Sequence, residues 1–311
     1  MEIFELVHSD QRLIEKIPDT VAALGFFDGI HRGHQKVIKT AVNKARENQM
    51  MSAVITFHPH PSVVLQGKTD VQYITPIHMK AHILEQLNVD RLYVITFDKA
   101  LSLLSPKTFI EEFITRLNVK HVVAGFDFTF GHKGKGNMKN ISELAQGDFT
   151  STVVEKVTCD GEKISSTHIR ECLASGEIEQ VNVFLGRCYT IFGAVVSGDQ
   201  RGRTIGYPTA NIKVDTDTLL PKSGVYAVQV KINNVTYDGM ANLGVKPTFQ
   251  ADVIEPIIEV HIFNFNDDIY GERLYISWHK FIRDEKKFSG IDELITQLKN
   301  DEKTIKGYFE H

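Results

Sequence analysis

Residues 21–34 read VAALGFFDGIHRGH, an apolar run that passes into a glycine-rich turn carrying two histidines. The apolar run, residues 21–26, has the length and composition of a buried strand, and residues 33–49 have the spacing of a helix. Similar strand-like runs follow at 52–57, 91–97 and 121–124, with helical spacing at 77–87 and 106–117. Strands alternating with helices predict an α/β fold, a Rossmann-like, doubly wound parallel sheet covered on both faces.

The character of the chain changes near residue 190. Short apolar runs separated by Gly, Asn, Asp and Pro lie at residues 189–196, 224–232, 235–240, 256–263 and 274–280. This pattern is typical of a small antiparallel β-barrel, and residues 291–308 have the spacing of one terminal helix. We therefore expect two domains, 1–184 and 185–311, with the boundary after a short helix that contains residues 169–174.

Composition excludes several classes of protein. The 311 residues carry 39 acidic and 35 basic side chains, a net charge of −4, and 42% are hydrophobic. That balance argues against a disordered chain and against a polybasic nucleic-acid surface. Three cysteines without a CxxC pair, no signal-peptide pattern and no apolar run near 20 residues predict a cytoplasmic protein without membrane partners. We expect a monomer or a weak homo-oligomer.

The turn itself, GFFDGIHRGH, lies where the first predicted strand ends and the first helix begins. Free backbone N–H groups and the helix dipole favour phosphate at such a place, and Gly25, Gly29 and Gly33 let the backbone approach a ligand. His31 and His34 are three residues apart, so on a helical turn they share one face and can donate hydrogen bonds to a polyphosphate. The alternative is an ordinary glycine-rich loop with two surface histidines.

The loops that follow residues 26, 57, 97 and 124 are expected to converge on one crevice beyond the carboxyl ends of the strands. Residues 164–170, ISSTHIR, offer the hydroxyls of Ser165, Ser166 and Thr167, and the guanidinium of Arg170 for phosphate oxygens. Residues 56–61, TFHPHP, and 125–131, GFDFTFG, place aromatic side chains in polar loops, which suits a flat ring system. Two alternatives stay open: a plain helix cap for the first segment, and packing on one strand face for the phenylalanines of the last.

In the second half, residues 198–211 read GDQRGRTIGYPTAN. The order of residues is not that of a P-loop, but three glycines and two arginines form a flexible basic loop able to fold over phosphates. Pro208 stiffens its end, and the Thr209 hydroxyl and Asn211 amide can reach a Mg²⁺ ion held by nucleotide phosphates. By itself, PTAN is also compatible with a plain turn.

Residues 258–265, IEVHIFNF, alternate in polarity, so Glu259 and His261 share a face opposite Ile258, Val260 and Ile262. A carboxylate on a strand face near a phosphate loop can accept the proton of an attacking hydroxyl. A solvent-facing glutamate on a half-buried strand is the other interpretation.

The segments of the first half, in this order, resemble the HxGH-containing adenylyltransferase half of the bacterial bifunctional riboflavin kinase/FAD synthetase family. The resemblance implies that His31, His34 and Arg170 are catalytic. It also implies flavin contacts by Phe57, His60, Asp127 and Phe128. The residues that it implies for ATP are Gly25, Phe26, Phe27, Asp28, Gly29, His31, His34, Ser165, Ser166, Thr167 and Arg170. Some members have arginine where this chain has Lys133 and Lys135, which removes a bidentate fork.

The second half, through residues 198–211, 239–249, 258–265, 267–274 and 279–288, resembles the riboflavin kinase domain of the same family. The resemblance implies Mg²⁺–ATP at Thr209 and Asn211, Glu259 as the catalytic base, and Arg283 in a mobile segment bordering the flavin. The other residues that it implies for ATP are Gly198, Arg203, Gly206 and Pro208. Cys188 departs from the family, which often has proline there.

Together these resemblances imply a bifunctional enzyme with ATP and flavins as its partners and Mg²⁺ as its cofactor. The C-terminal domain would phosphorylate riboflavin to FMN, and the N-terminal domain would adenylylate FMN to FAD with release of pyrophosphate. Two other classes stay open: an adenylyltransferase for another acceptor, such as a pantetheine phosphate, and a flavin-binding regulatory protein without turnover.

Overall fold

The computed structural model of the chain describes residues 1–8, 17–159, 161–198, 201–247 and 254–310. Its contacts divide the chain into two compact units, Met1–Ser166 and Thr167–His311. Because residues 248–253 lie outside the described residues, the sequence motif at 239–249 is described only as far as residue 247. The domain boundary predicted near residue 185 stays a prediction.

A six-stranded parallel sheet forms the centre of the first unit, in the order β1-β4-β3-β2-β5-β8. The strands of this unit are β1 Glu2–Leu6, β2 Thr20–Leu24, β3 Met51–His58, β4 Arg91–Thr96, β5 Val119–Gly125, β6 Thr129–Phe130, β7 Gly136–Asn137, β8 Thr150–Val154, β9 Thr158–Cys159 and β10 Glu162–Lys163. The predicted parallel sheet is confirmed, and β1 and β8 are two edge strands that the sequence patterns did not indicate.

Helices cover both faces of this sheet. They are α1 Arg32–Glu47, α2 Pro61–Gln66, α3 Ile77–Gln86, α4 Lys99–Ser102, α5 Pro106–Ile110 and α6 Ile141–Ala145, with a π-helical turn at Glu111–Thr115 and a 3₁₀ turn at His132–Gly134. Val21 and Ala23 of β2 pack in the core that contains α1, whereas Ala22 and Leu24 pack in the core that contains α5. This period of two divides the apolar residues between two cores and confirms the doubly wound fold.

The second unit is a closed six-stranded barrel in the order β11-β12-β15-β14-β13-β16, and its strand pairs are antiparallel. Its strands are β11 Tyr189–Val196, β12 Ala210–Val214, β13 Gly224–Ile232, β14 Val235–Pro247, β15 Ile254–Ile262 and β16 Arg273–Arg283. The predicted barrel is confirmed. The sequence pattern does not predict β12, because the residues at its start have the pattern of a turn and of a metal site.

Among its described residues, the second part of the chain also has the helices α7 Ser166–Ser175, which begins with the last residue of the first unit, α8 Ile178–Leu185, α9 Arg201–Thr204 and α10 Ile291–Phe309. Ile305 of α10 is fully buried against Val225 and Met240 of the barrel, which fixes the terminal helix on its wall. Within the part of the chain that the structure describes, no helix has the length and apolarity needed to cross a membrane.

Asp90 connects three elements at the amino-terminal edge of the first sheet. Its carboxylate accepts hydrogen bonds from Arg46, near the end of α1, at 2.7 and 2.9 Å, and from the backbone and hydroxyl of Ser52 in β3 at 2.8 and 2.7 Å. Burial by itself raises the pKa of Asp90, but the hydrogen bonds from Arg46 and Ser52 outweigh it and lower that pKa from 3.8 to about 2.

We expect Asp90→Asn to lower the free energy of unfolding by about 1–2 kcal/mol at pH 7, because the ionised carboxylate is preferred in the folded state. A lowered folded pKa means that this stability is present above pH 4 and is lost as the pH falls towards 2. Urea unfolding of both proteins at several pH values measures the difference. The exposed Asp70→Asn is the control, and an Asp90 effect that persists unchanged at pH 2 would contradict the assignment.

Candidate active sites

The turn between β2 and α1, residues 25–31, forms hydrogen bonds with side chains of neighbouring elements. The Phe26 carbonyl accepts hydrogen bonds from Lys80 Nζ on α3 at 2.6 Å and from Thr56 Oγ1 on β3 at 2.9 Å. Gly29 has a φ of +86°, a conformation that glycine adopts without strain, and its N–H donates to Thr75 Oγ1 at 2.8 Å. These contacts tie the turn to β3, to α3 and to the segment before α3.

His31 and His34 lie side by side at the start of α1. Their rings stack with centroids 3.6 Å apart and planes 16° from parallel. His31 is the N-cap of the helix, in extended backbone conformation, and its Nδ1 accepts the His34 N–H at 3.2 Å. The predicted pairing is therefore confirmed, but capping rather than a shared helical face brings the rings together. Because Nδ1 accepts, a neutral His31 carries its proton on Nε2.

The imidazole of His34 is neutral near pH 7. Desolvation by burial lowers its pKa well below 6.5, and the nearby charges of His31 and Lys80 lower it further. In the described part of the chain, the buried Nδ1 atom of His34 has no hydrogen-bond partner. A buried polar atom without a partner is costly, so this atom marks a place where a ligand could contribute one.

Two adjoining cavities open around these histidines. The larger, about 550 Å³, brings together residues from the carboxyl ends of β2, β3 and β5 and from the loop after β4, including Phe26, Phe57, Phe97 and Asp127. The smaller, about 220 Å³, is lined by His31, Gly33, Ser165 and Ser166 among others. His34, Val37, Gly125 and Asp127 line both cavities. The loops predicted to converge on one crevice do so.

The three phenylalanines after β5 have different surroundings. Phe128 and Phe130 line the larger cavity with ring centroids 6.1 Å apart, and Phe130 is also buried against Phe109. Phe126 is 42% exposed and lies under the ammonium group of Lys163, with Nζ 5.6 Å from the ring centroid. Phe128 thus lines a cavity, and its predicted contact with flavin stays a prediction. Packing on one shared strand face does not describe all three rings.

Asp28 and His60 support the turn. The buried Asp28 carboxylate accepts the Thr75 N–H at 3.0 Å, and the Asp28 carbonyl accepts the Ser166 hydroxyl at 2.9 Å. His60 caps α2, and its ring meets Phe26 edge-on at 4.7 Å. Their predicted contacts with ATP and flavin stay predictions, as do those of Thr167 and Arg170 on α7 within the second unit.

Lys80 is the residue of this site that the motifs missed. Its side chain is only 4% exposed, and burial lowers its pKa to about 8 although the nearby Asp28 charge opposes that shift. The one signal in the sequence is its position: Lys80 shares the face of α3 that also buries Ile83 and Leu84. A lysine on an apolar helix face is rare unless a partner satisfies it.

Two cavities also adjoin in the second unit. One, about 370 Å³, is lined by Thr209, Glu259 and Arg283 together with apolar residues such as Phe288. The other, about 380 Å³, is lined by Arg203, Pro208 and Thr209. Thr209 lines both, so the structure brings five of the predicted kinase-site residues around one pair of cavities.

Glu259 is flanked by two asparagines. In the barrel register Asn211 of β12 lies opposite Glu259 on one side, and Asn242 of β14 lies opposite it on the other. Ile258 and Val260 are buried in the barrel, whereas Glu259 is partly exposed, so the predicted alternation is confirmed. Glu259 also lines the 370 Å³ cavity, where a carboxylate can meet a bound ligand.

The loop before β12 is shaped by close contacts. A Cβ atom on Gly198 would lie 2.1 Å from the Asn211 amide nitrogen, so this loop passes close to the Asn211 side chain. Gly206 has a φ of +82°. His261, which shares the strand face of Glu259, donates from Nδ1 to the Pro208 carbonyl at 2.7 Å. These contacts fix the backbone on either side of Thr209.

Arg283 is held by the terminal helix. Its guanidinium pairs with the buried Asp301 of α10, with Nη2 2.8 Å and Nε 3.0 Å from Oδ2. Gln297 donates to the other carboxylate oxygen at 2.8 Å. Arg283 is thereby fixed at the edge of the 370 Å³ cavity, while the predicted mobility of its segment stays a prediction.

Metal coordination by protein side chains alone finds little support. Among the described residues, no three His, Cys, Asp or Glu side chains come together in a way that could hold a metal ion. Thr209 and Asn211 offer a hydroxyl and an amide, which are oxygen donors of the kind that Mg²⁺ accepts alongside nucleotide phosphates.

Comparison with known protein families gives two matches along the chain. The FAD synthetase family matches residues 13–168, and the riboflavin kinase family matches residues 185–309. A bifunctional riboflavin kinase/FMN adenylyltransferase of Bacillus subtilis is 46% identical over 311 residues, 99% of this chain and 98% of the relative. One of Listeria monocytogenes is 48% identical over 290 residues, 93% of this chain and 92% of the relative.

A solved structure described as a macrolide-efflux protein from Streptococcus pneumoniae has the same fold, with a TM-score of 0.89 and 36% identity. The match covers 97% of this chain and 98% of that one. The two family matches follow one another along the chain, FAD synthetase first and riboflavin kinase second, and both curated relatives carry the name of an enzyme with the two activities. The chain therefore belongs to the bifunctional riboflavin kinase/FMN adenylyltransferase family, transferases that combine a nucleotidyltransferase and a kinase.

Proposed function

We propose that the second unit transfers the γ-phosphoryl group of ATP to riboflavin, and that the first unit transfers the adenylyl group of another ATP to the resulting FMN. One observation carries the proposal: each unit holds two adjoining cavities that share residues. In the first unit the larger cavity has aromatic walls that suit an isoalloxazine ring, and the smaller lies at a helix N-terminus that suits phosphates.

In FAD formation, a phosphate oxygen of FMN attacks the α-phosphorus of ATP, and the bond to the pyrophosphate oxygen breaks. The nucleophile is already an anion, so no general base is needed. The Nε2–H of His31 and a neutral His34 donate hydrogen bonds to the phosphate oxygens, where negative charge shifts during the transfer. Ser165, Ser166, Thr167 and Arg170 supply further donors, and Phe57, Asp127 and Phe128 contact the flavin.

In FMN formation, the 5′-hydroxyl of riboflavin attacks the γ-phosphorus, and the bond to the ADP oxygen breaks. This nucleophile is neutral, so a base must take its proton. Glu259 and Glu285 both line the 370 Å³ cavity, and Glu259 is assigned as the base because it lies opposite Asn211 in the barrel register. Thr209 lines both cavities of the unit and so stands between the nucleotide and the flavin. Gly198, Arg203, Gly206 and Pro208 form the loop over the nucleotide.

Thr209 and Asn211 would hold Mg²⁺ together with the ATP phosphates, since their side chains provide neutral oxygen donors and the phosphates provide the charge. When bound, the ion neutralises charge on the transferred phosphoryl group. We further propose a cytoplasmic location, supported by the three cysteines without a CxxC pair, and a monomer or weak homo-oligomer without nucleic-acid or membrane partners.

The proposal is tested by incubating the full chain with riboflavin and Mg²⁺–ATP and separating the products by chromatography. FMN, FAD and pyrophosphate are expected, with oxidised and reduced flavin compared in parallel. A second reaction offers a pantetheine phosphate as the acceptor in place of flavin. Adenylylation of that acceptor and not of FMN would overturn the first assignment, and flavin binding without any product would overturn both.

Glu259→Gln should reduce riboflavin phosphorylation by about 10²-fold or more, since the amide cannot accept the hydroxyl proton. FMN adenylylation by the same protein should stay nearly unchanged. Steady-state rates with each flavin measure the two activities separately. Glu272→Gln, at an exposed position in the turn directly before β16, is the matched control. A parallel loss of both activities would show that the two reactions are not divided as proposed.

His31→Ala should reduce FAD formation by about 10²-fold or more, because it removes both a phosphate donor and the cap of α1. FMN should accumulate from riboflavin, since the kinase lies in the other unit. His121→Ala, four residues before the end of β5, is the control. FAD output equal to that of the unchanged protein would remove His31 from the mechanism.

Asp301→Asn should raise the KM for riboflavin about tenfold, because Arg283 loses its charged partner and no longer holds one position at the cavity edge. The rate at saturating riboflavin and the adenylylation of FMN should change little. Asp292→Asn, an exposed position on the same helix, is the control. An unchanged KM would mean that Arg283 does not contact the flavin.

A further inference from the structure

Lys80 is a buried cation that no motif identifies and that the reaction steps above do not use. Its Nζ atom lies 2.6 Å from the Phe26 carbonyl, 3.0 Å from Thr56 Oγ1 and 4.8 Å from the centroid of the Phe26 ring. Thr56 itself donates to the same carbonyl. The Phe26 carbonyl, the Thr56 hydroxyl and the Phe26 ring therefore surround the ammonium group on the inner side of the β2–α1 turn.

We propose that Lys80 is a positioning residue for the adenylyltransferase reaction: its ammonium group holds the Phe26 carbonyl so that the β2–α1 turn is preformed for ATP. The inference deepens the function proposed above and rests on it. Lys80 acts through Phe26 and Thr56 and is not placed in contact with the reacting atoms.

The geometry of the peptide group explains how a contact below the turn affects its other side. The peptide between Phe26 and Phe27 is trans, so the Phe27 N–H points opposite to the carbonyl that Lys80 binds. Fixing the carbonyl therefore fixes the direction of that N–H. Phe27 has a φ of +53°, which side-chain-bearing residues rarely adopt, so the turn needs such contacts to keep its shape.

The charge of Lys80 also acts on the histidines. It is one of the causes that keep His34 neutral, together with burial of the ring and the charge of His31. Among the described residues, the charged and titratable groups near Lys80 include Asp28 on the turn and His34 on α1, with His31 beside His34. His60 and Tyr73 pack against the Phe26 ring that Lys80 also contacts. Asp28 favours the charged amine, and burial outweighs it.

Burial of Lys80 has two consequences that depend on pH: as the pH rises, stability increases and adenylylation activity decreases. The folded-state pKa of about 8 is below the ordinary 10.5, so between these values the unfolded chain binds more protons and stability rises with pH. Over the same interval Lys80 loses its charge, and the hold on the Phe26 carbonyl weakens. A lysine with only a packing role would not couple greater stability to lower activity.

The test compares the unchanged full chain with Lys80→Met, which keeps the length of the side chain and removes the amine. At pH 7 the variant should have a kcat/KM for ATP in FMN adenylylation lowered about tenfold or more, the effect of losing a charged hydrogen bond. The adenylylation kcat/KM of the unchanged chain divided by that of Lys80→Met should fall towards one as the pH rises from 7 to 10. Riboflavin phosphorylation should keep a constant ratio near one throughout.

Lys80→Arg retains a positive charge at every pH of the experiment, so it should recover part of the lost activity and keep it above pH 9. Urea unfolding of the unchanged chain and of Lys80→Met provides a measurement that does not depend on whether arginine fits. The unchanged chain should gain stability relative to the variant between pH 8 and 10.5. Met79→Ala, a buried neighbour on α3, should lower stability without altering the pH dependence of adenylylation.

An adenylylation ratio between the unchanged chain and Lys80→Met that stays constant from pH 7 to 10 would overturn the proposal. So would a Met79→Ala variant with the same altered pH profile, because the effect would then be general damage to the helix. If the unchanged chain makes no FAD from FMN and ATP, the proposed function fails instead, and that result is distinct from either of these.

Discussion

A turn that binds phosphate must offer its N–H groups to a ligand while its carbonyl groups find partners inside the protein. In the first unit the turn proposed to bind ATP meets this constraint at Phe26, whose carbonyl accepts hydrogen bonds from both Lys80 and Thr56. Because Lys80 comes from α3 and Thr56 from β3, the turn takes its shape only when the sheet and its covering helices are assembled. The position of the histidine pair, which follows directly on α1, depends on the same contacts.

In the second unit a carbonyl group of the loop also has a side-chain partner inside the protein, but the donor is a histidine and not a lysine. There the Pro208 carbonyl accepts a hydrogen bond from His261 Nδ1 at 2.7 Å, next to Thr209 in the chain. The Tyr207 hydroxyl in turn donates to Glu302 of α10 at 3.0 Å, and α10 also carries Asp301, the partner of Arg283. In both units a side chain from another element fixes a carbonyl of the loop. In the barrel, the terminal helix is part of that support.

The sequence predicts those parts of the molecule in which one local pattern decides the structure. The central strands are continuous apolar runs, whereas the edge strands β1 and β8 are partly exposed and their patterns are correspondingly weak. The motifs locate His31, His34, Thr209 and Glu259, which lie beside cavities as expected. Lys80 could not be found in this way, because its burial depends on partners 24 and 54 residues away in the chain.

The nature of the two nucleophiles accounts for the different acid–base groups of the two units. In the proposed kinase reaction the flavin hydroxyl must lose a proton as it attacks, and the Glu259 carboxylate is the group assigned to accept it. A phosphate monoester carries its charge already, so a carboxylate base would bring a second negative charge to the reacting centre. Neutral imidazoles avoid that repulsion and still donate hydrogen bonds. Burial of His34 beside Lys80 is therefore suited to adenylyl transfer, and it would be a poor arrangement for deprotonating a hydroxyl.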